Sequence, residues 1–238
     1  MVCFLTSRTD DPETGELLCA NRFTDELRKH FPQPCRALDI CSDPDSPETM
    51  DYYAALTKKM FEAAGFPFER FDTLDNRNRA FSAQLVSRAN LIILSGGHVP
   101  TQHRFFEKIR LRELLRNFGG IVIGISAGSM NSADVVYSQP EEEGEAVDPS
   151  YRRFFPGLGL TKTNLLPHYQ AVKDDVLDGL RIFEDIACPD SMGKTFYAIP
   201  DGSYLFTDGS KEELRGEAYT VKDGVITRIS SHGETVFL

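Results

Sequence analysis

The 238-residue chain is 41% hydrophobic and carries 26 Lys and Arg against 36 Asp and Glu, a net charge of −10. Length and apolar content suit one large α/β domain with a full core, and the acidic balance argues against nucleic acid as a partner. No apolar run approaches the ~20 residues of a membrane span, and the start MVCFLTSRTDD lacks the basic and long apolar segments of a secretory signal.

In chain order, Val2 to Thr6 reads as a short apolar strand followed by a polar loop. Leu18, Phe23, Leu27 and Phe31 recur at helical spacing, which predicts a helix over 17–31. Arg36 to Cys41 is a second strand, and the turn cluster Ser42-Asp43-Pro44-Asp45-Ser46-Pro47 leads into a helix over 48–64. Phe66 to Phe71 reads as strand three, 79–88 as a short helix, and Leu91 to Leu94 as a wholly apolar strand ending in Ser95-Gly96-Gly97-His98. A basic amphipathic helix over 101–117 precedes a further strand at Ile121-Val122-Ile123. Five rounds of strand and helix, with runs that do not alternate polar and apolar, predict a doubly wound, mainly parallel sheet. Active groups are then expected at the carboxyl ends of its strands.

The character changes beyond residue 138. Residues 139–149, with Glu141-Glu142-Glu143-Gly144-Glu145, read as an exposed loop, Thr163 to Leu166 as a strand, and 174–186 as a helix. From Phe196 onward, short segments (FYAI, SYLF, AYTV, VITRI, TVFL) and the hairpin signal Lys222-Asp223-Gly224 predict antiparallel strands. The expected organisation is a single domain over 1–238, with 196–238 as a small β extension. Cys3, Cys19, Cys35, Cys41 and Cys188 show no metal-like spacing and read as reduced thiols of a cytoplasmic protein; none lies in a glycine-rich turn.

The most informative stretch is Gly119 to Met130, GGIVIGISAGSM. Gly-x-Ser-x-Gly after a buried strand and before a helix, here continuing over 129–134, describes a nucleophile elbow. Two glycines let strand and helix crowd the turn, and Ser126 stands exposed at its corner. The same residues also suit a plain βα turn. A serine hydroxyl needs a base, and the base an orienting acid. Among five histidines, His168 is the strongest candidate, because an apolar strand breaks before it at Pro167. His98 follows Gly96-Gly97 and could face the same site, whereas His30, His103 and His232 suit a helix end, a polar helix face and a turn. Asp201, in Ile199-Pro200-Asp201-Gly202-Ser203, is the best acid, although Pro-Asp-Gly is also an ordinary turn. The backbone N–H of Ala127, directly after the serine, and one from the Gly96-Gly97 strand end are the natural oxyanion donors; positive φ in a βα turn is the other use of those glycines.

Taken together, LSGGH, GISAGSM, LPHYQ and IPDGSY, in that order and spacing, resemble the peptidase E-like serine peptidases, which include alpha-aspartyl dipeptidases and cyanophycinases. These form a branch of the class I glutamine amidotransferase-like superfamily, which implies a flavodoxin-like α/β fold. The resemblance covers roughly 2–206 and implies Ser126 as nucleophile, His168 as base, and Gly97 with Ala127 as oxyanion hole. It implies an acid either between serine and histidine or near the Pro-Asp-Gly turn: Asp201 is chosen, with Glu141 as fallback. The arginine that clamps aspartate shortly after the histidine in aspartyl dipeptidases is unmatched in YQAVKDDVLDGLRIFEDI, where Arg181 falls in a predicted helix.

The expected activity is that of a serine peptidase acting on small peptides through an acyl-enzyme, with no cofactor and no metal. A small peptide is the expected partner, membrane and nucleic acid are not, and a homodimer is compatible with this reading. The alternatives are another serine acyl hydrolase, an esterase or amidase, and a catalytically silent binding protein on the same scaffold.

Overall fold

Five strands form the parallel part of the main sheet: β1 (Val2–Thr6), β2 (Arg36–Ile40), β3 (Arg70–Leu74, a more polar edge strand), β4 (Leu91–Leu94) and β5 (Ile121–Ile125). They lie in the order β1-β5-β4-β2-β3. The computed structural model describes residues 1–11 and 13–238. Alternation along each strand sorts side chains between two faces. Cys3, Leu5, Ile92, Leu94 and Val122 join one hydrophobic cluster, and Phe4, Leu91, Ile93, Ile121 and Ile123 join another. Helices α1 (Phe23–His30) and α2 (Pro47–Ala63) cover the second with Phe23, Leu27, Met60 and Phe61. Helices α3 (Ser82–Arg88), α4 (Val99–Lys108) and α5 (Leu111–Leu115) cover the first with Val86, Phe105, Phe106, Leu111 and Leu115. Each such large apolar side chain contributes roughly 1.5–3 kcal/mol on burial, and the sheet is covered on both faces.

Beyond β5 come α6 (Ala127–Met130), an antiparallel pair β6 (Val135–Tyr137) and β7 (Phe154–Pro156), then β8 (Asn164–Leu166) and α7 (Tyr169–Val172). A small hairpin, β9 (Val176–Leu177) and β10 (Leu180–Arg181), precedes a π-helical turn (Ile182–Ala187) and α8 (Cys188–Asp190). The last strands are β11 (Thr195–Ala198), β12 (Tyr204–Thr207), β13 (Glu212–Arg215), β14 (Ala218–Lys222), β15 (Val225–Ser230) and β16 (Thr235–Phe237). They do not form one extension. β12 pairs antiparallel with β1 and is followed by β13 and β16, completing an eight-stranded main sheet. β11, β14 and β15 join β8 in a second, four-stranded sheet. A third cluster seats that sheet against the elbow: Ala127 and Met130 of α6 pack with Leu166, Phe196 and Ala198. Tyr137 lies flat on Phe196, ring centres 4.2 Å apart.

Several sequence-predicted elements shift or change type. Strand three starts at Arg70 because Phe66 and Phe68 pack with Phe31 and Phe61 beneath α2. The helix over 17–31 shortens to α1, since Leu17 bridges to Asp10 and Asn21 and Arg22 adopt positive φ. The helix over 101–117 divides at Arg110, φ 55°. Helix α6 stops at Met130: the Ser132 hydroxyl bonds back to the Gly128 carbonyl, and the Asp134 N–H leaves for Thr161. The helix over 174–186 is replaced by β9, β10 and the π-helical turn. Asp178-Gly179, both at positive φ, turns the hairpin, and the Asp178 carboxylate accepts the Gly144 and Ala146 N–H groups.

Candidate active site

β5 ends at Ile125 and α6 starts at Ala127, which isolates Ser126 on the corner with φ 48° and ψ −110°. Such backbone costs a non-glycine residue about 1–3 kcal/mol, and its surroundings hold it in place. The Ser126 N–H donates to the Thr6 carbonyl at 3.0 Å, and its own carbonyl accepts from Ser129 and Met130. The Ser129 hydroxyl adds a 2.7 Å bond to the same Thr6 carbonyl. Both elbow glycines are demanded by contact. A Cβ on Gly128 would overlap the Leu94 carbonyl, and one on Gly124 would lie 2.9 Å from the Ser129 nitrogen and 3.0 Å from Leu5.

His168 follows β8 with φ 59°, and Asp201 sits in the turn after β11, where the Ser203 N–H closes on the Pro200 carbonyl. β8 and β11 are parallel neighbours, Leu166 opposite Ala198, so both groups emerge at the same end of the second sheet. The His168 Nε2 lies 3.0 Å from the Ser126 Oγ, and its Nδ1 lies 2.8 Å from the Asp201 Oδ1. An ionised carboxylate only accepts, so Nδ1 carries the proton of the neutral ring and Nε2 is left to accept from the serine hydroxyl. Burial opposes ionisation of Asp201. Bonds from His168 and Ser7, the His168 charge and a bond from Gln170 outweigh it and hold the carboxyl below its ordinary value. The Pro-Asp-Gly turn and the aimed carboxylate coexist.

The sequence alone assigned no role to two contributors, although Gln170 closes the LPHYQ motif. Ser7, fully buried just past β1, donates to Asp201 Oδ1 at 2.6 Å and accepts the His168 N–H at 2.8 Å. Gln170 donates to Asp201 Oδ2 at 2.7 Å and accepts the Asp201 N–H at 2.9 Å. The sole cue to Ser7 was its position, a polar residue at the carboxyl end of the strand beside the elbow strand.

The Gly96-Gly97 strand end also meets the site. A Cβ built on Gly96 would touch the Ser126 Cβ at 3.4 Å, whereas one on Gly97 would collide with Ser42. Among the described residues, neither the Gly97 nor the Ala127 N–H donates to another group. Glu141 has no hydrogen bond to His168; its loop turns instead toward His98. His98 caps α4, with Nδ1 2.8 Å from Thr101 Oγ1 and Nε2 2.9 Å from Glu145 Oε1. His98, Glu142 and Glu145 have the donor types to hold a cation, with ligand atoms within 4.8 Å of one another. Internal bonds account for their arrangement, since Glu145 Oε2 accepts the Glu141 and Glu142 N–H groups. His103 stacks on Phe155 and His30 packs beside Phe4 and Phe206. Arg181 is bound to Asp185 through two nitrogens. Beside the elbow opens a cleft of about 840 Å³, with Gly96 and Ile125 in its lining.

Among the described residues, no helix is long and apolar enough to cross a membrane. A comparison with curated proteins gives no match. A peptidase from an acI-B1 actinobacterium superposes with a TM-score of 0.69 at 16% identity, over 100% of this chain and 96% of its own. A putative peptidase E protein from Listeria monocytogenes EGD-e gives 0.63 at 17% identity, over 96% and 98%. At such identities the likeness is one of fold. The model of Peptidase family S51 matches residues 40–215. That span runs from the end of β2 to the end of β13, roughly three-quarters of the chain, and contains Ser126, His168 and Asp201. The chain therefore belongs to peptidase family S51 and is a serine-type peptidase.

Proposed function

We propose that the enzyme hydrolyses small peptides, dipeptides among them, through an acyl-enzyme on Ser126, with His168 as base and Asp201 as the orienting acid. His168 Nε2 takes the Ser126 proton as Oγ bonds to the scissile carbonyl carbon. The oxyanion so formed is received by the N–H groups of Ala127 and Gly97. Collapse breaks the C–N bond while His168 returns the proton to the leaving amine. A water then gives its proton to His168 and attacks the ester carbon; Ser126 leaves with that proton, and the carboxylate product departs. Asp201 holds the Nδ1–H tautomer and stabilises the imidazolium at each transfer.

The observation that supports this most directly is the unbroken line from Asp201 through His168 to Ser126, at 2.8 and 3.0 Å, ending on a strained corner. A fluorophosphonate probe and a dipeptide library test it. We expect a single adduct, mapped to Ser126 by mass spectrometry, and cleavage that disappears in Ser126→Ala. An adduct elsewhere, or undiminished turnover in that variant, refutes the reading. Cleavage of esters but not peptides would favour the other acyl hydrolase. A cytoplasmic setting is proposed with it, on the support of five unbridged cysteines, four of them buried.

A further inference from the structure

The cleft beside the elbow has a defined chemistry. Met50, Tyr53, Leu56 and Met60 recur along α2 at helical spacing and form one wall, with Leu17 also in the lining. Tyr53 and Leu56 are 57% and 45% exposed, so this stripe is not a sealed core face. Large exposed apolar side chains gathered in a concavity mark a binding surface. The charged lining balances, two cations (Arg8, Lys59) against two acids (Asp10, Glu16). Arg8 is moreover committed: two of its nitrogens bond Asp10 at 3.1 and 2.8 Å. An incoming carboxylate would compete with Asp10 for that fork. The cleft runs up to the elbow without including its serine: Ile125, in its lining, directly precedes Ser126, and a Cβ on Gly96, also in the lining, would lie 3.4 Å from the Ser126 Cβ.

We propose that this cleft receives the substrate side chain flanking the scissile bond and selects bulky apolar residues, long aliphatic or aromatic. The proposal rests on the peptidase reading above and adds the substrate class. An apolar group seated against Tyr53 and Leu56 leaves water without stranding a charge. An acidic one finds the Arg8 guanidinium already paired with Asp10, leaving Lys59 set against the two lining acids, on a protein of net charge −10.

The test compares peptides that differ only in one residue next to the scissile bond (Gly, Leu, Phe, Asp or Lys, placed on either side in turn), alongside fluorophosphonate labelling of Ser126. For wild type, kcat/KM for Leu and Phe should exceed that for Gly and Asp by about tenfold or more. Leu56→Ser and Tyr53→Ser alter exposed positions on one face of α2 and should keep the wild-type Tm, checked on the same preparations. Each should shrink the Phe-over-Gly preference to below about threefold, mainly through KM. Labelling and cleavage with a preference for Asp, or with a Phe preference that both variants retain, overturns the apolar assignment and leaves the peptidase reading intact. Absence of both labelling and cleavage overturns the two together.

Discussion

The Ser7 hydroxyl satisfies two groups at once, accepting the His168 N–H and donating to Asp201. It thereby ties down a histidine held at φ 59°, whose own carbonyl accepts the Ala171 and Val172 N–H groups of α7. Ser7→Ala should lower kcat about 10–100-fold with KM little changed, because the imidazole and carboxylate lose a shared anchor. Its pH signature is also specific. A carboxyl held below its ordinary value of 3.8 in the folded state contributes stability above that pH, and loses it as pH falls through the folded value. Removing one lowering bond narrows the depression. The gap in Tm between wild type and Ser7→Ala should therefore be present at pH 5–7 and close in acid; a gap that stays constant into acid would tie Ser7 to packing alone. Asp201→Asn forfeits the stability of that depressed carboxyl, so its Tm should lie below wild type at pH 5–7 and converge with it in acid. At temperatures where the variant is folded, kcat should fall by about 10⁴, as when a triad carboxylate loses its charge; full activity would return Asp201 to a turn role. The sequence marked Ser126, His168 and Asp201 because each sits in a tight local pattern of glycine, proline or strand end. Ser7 shares the strand end but has no glycine or proline beside it, and its partners are 161 and 194 residues away.

Registers between elements place these side chains as strictly as the side chains place each other. His168 and Asp201 lie two and three residues beyond the paired Leu166 and Ala198, and a slip of one residue in that parallel pair would displace them by about 3.3 Å. α6 is likewise set against β4 by a missing methyl group, so Gly128→Ala should cost about 1–3 kcal/mol or more and abolish probe labelling. Urea midpoints and labelling rates on one preparation check both. On β2, Asp39 is 3% exposed with one side-chain bond, from Ser95; burial, only partly offset by that bond, raises its carboxyl to about 7. A raised folded value means that stability is fully present below the ordinary 3.8 and falls as pH climbs toward 7. Asp39→Asn, which keeps an acceptor for Ser95, should raise Tm at pH 8, by up to about 4 kcal/mol in stability, and lose that advantage below pH 4. The inner parallel strands were legible because burial on both faces leaves near-continuous apolar runs, whereas the edge strand β3, RFDTL, has no such run and was placed too early. The division of 196–238 between two sheets was not legible, since periodicity reports burial and never names the partner strand. The Asp178-Gly179 hairpin was missed because its flanking strands are two residues each, too short to break a helical pattern.

Across the whole molecule, an excess of ten negative charges acts on any charged substrate before contact is made. Raising ionic strength from about 10 to 150 mM shortens the screening length from roughly 30 to 8 Å. It should raise kcat/KM for acidic peptides by about two- to threefold and leave neutral ones flat, which stopped-flow or steady-state assays at two salt concentrations would read. Identical salt curves for both would place the acidic surface too far from the approach path to matter. The path of the chain between its two sheets also sets an order in time. The amino-terminal part of a protein leaves the ribosome first, so Ser126 and then His168 are made well before Asp201. Asp201 lies on the crossing from β11 in one sheet to β12 in the other. Until β12 arrives, β1, which carries the Thr6 carbonyl under the elbow, lacks one of its two neighbours. On the proposed mechanism, a nascent chain holds a serine and a histidine with no carboxylate to align them. Hydrolytic competence thus cannot precede translation of residue 201, and a ribosome stalled before it releases a fragment without the proposed triad.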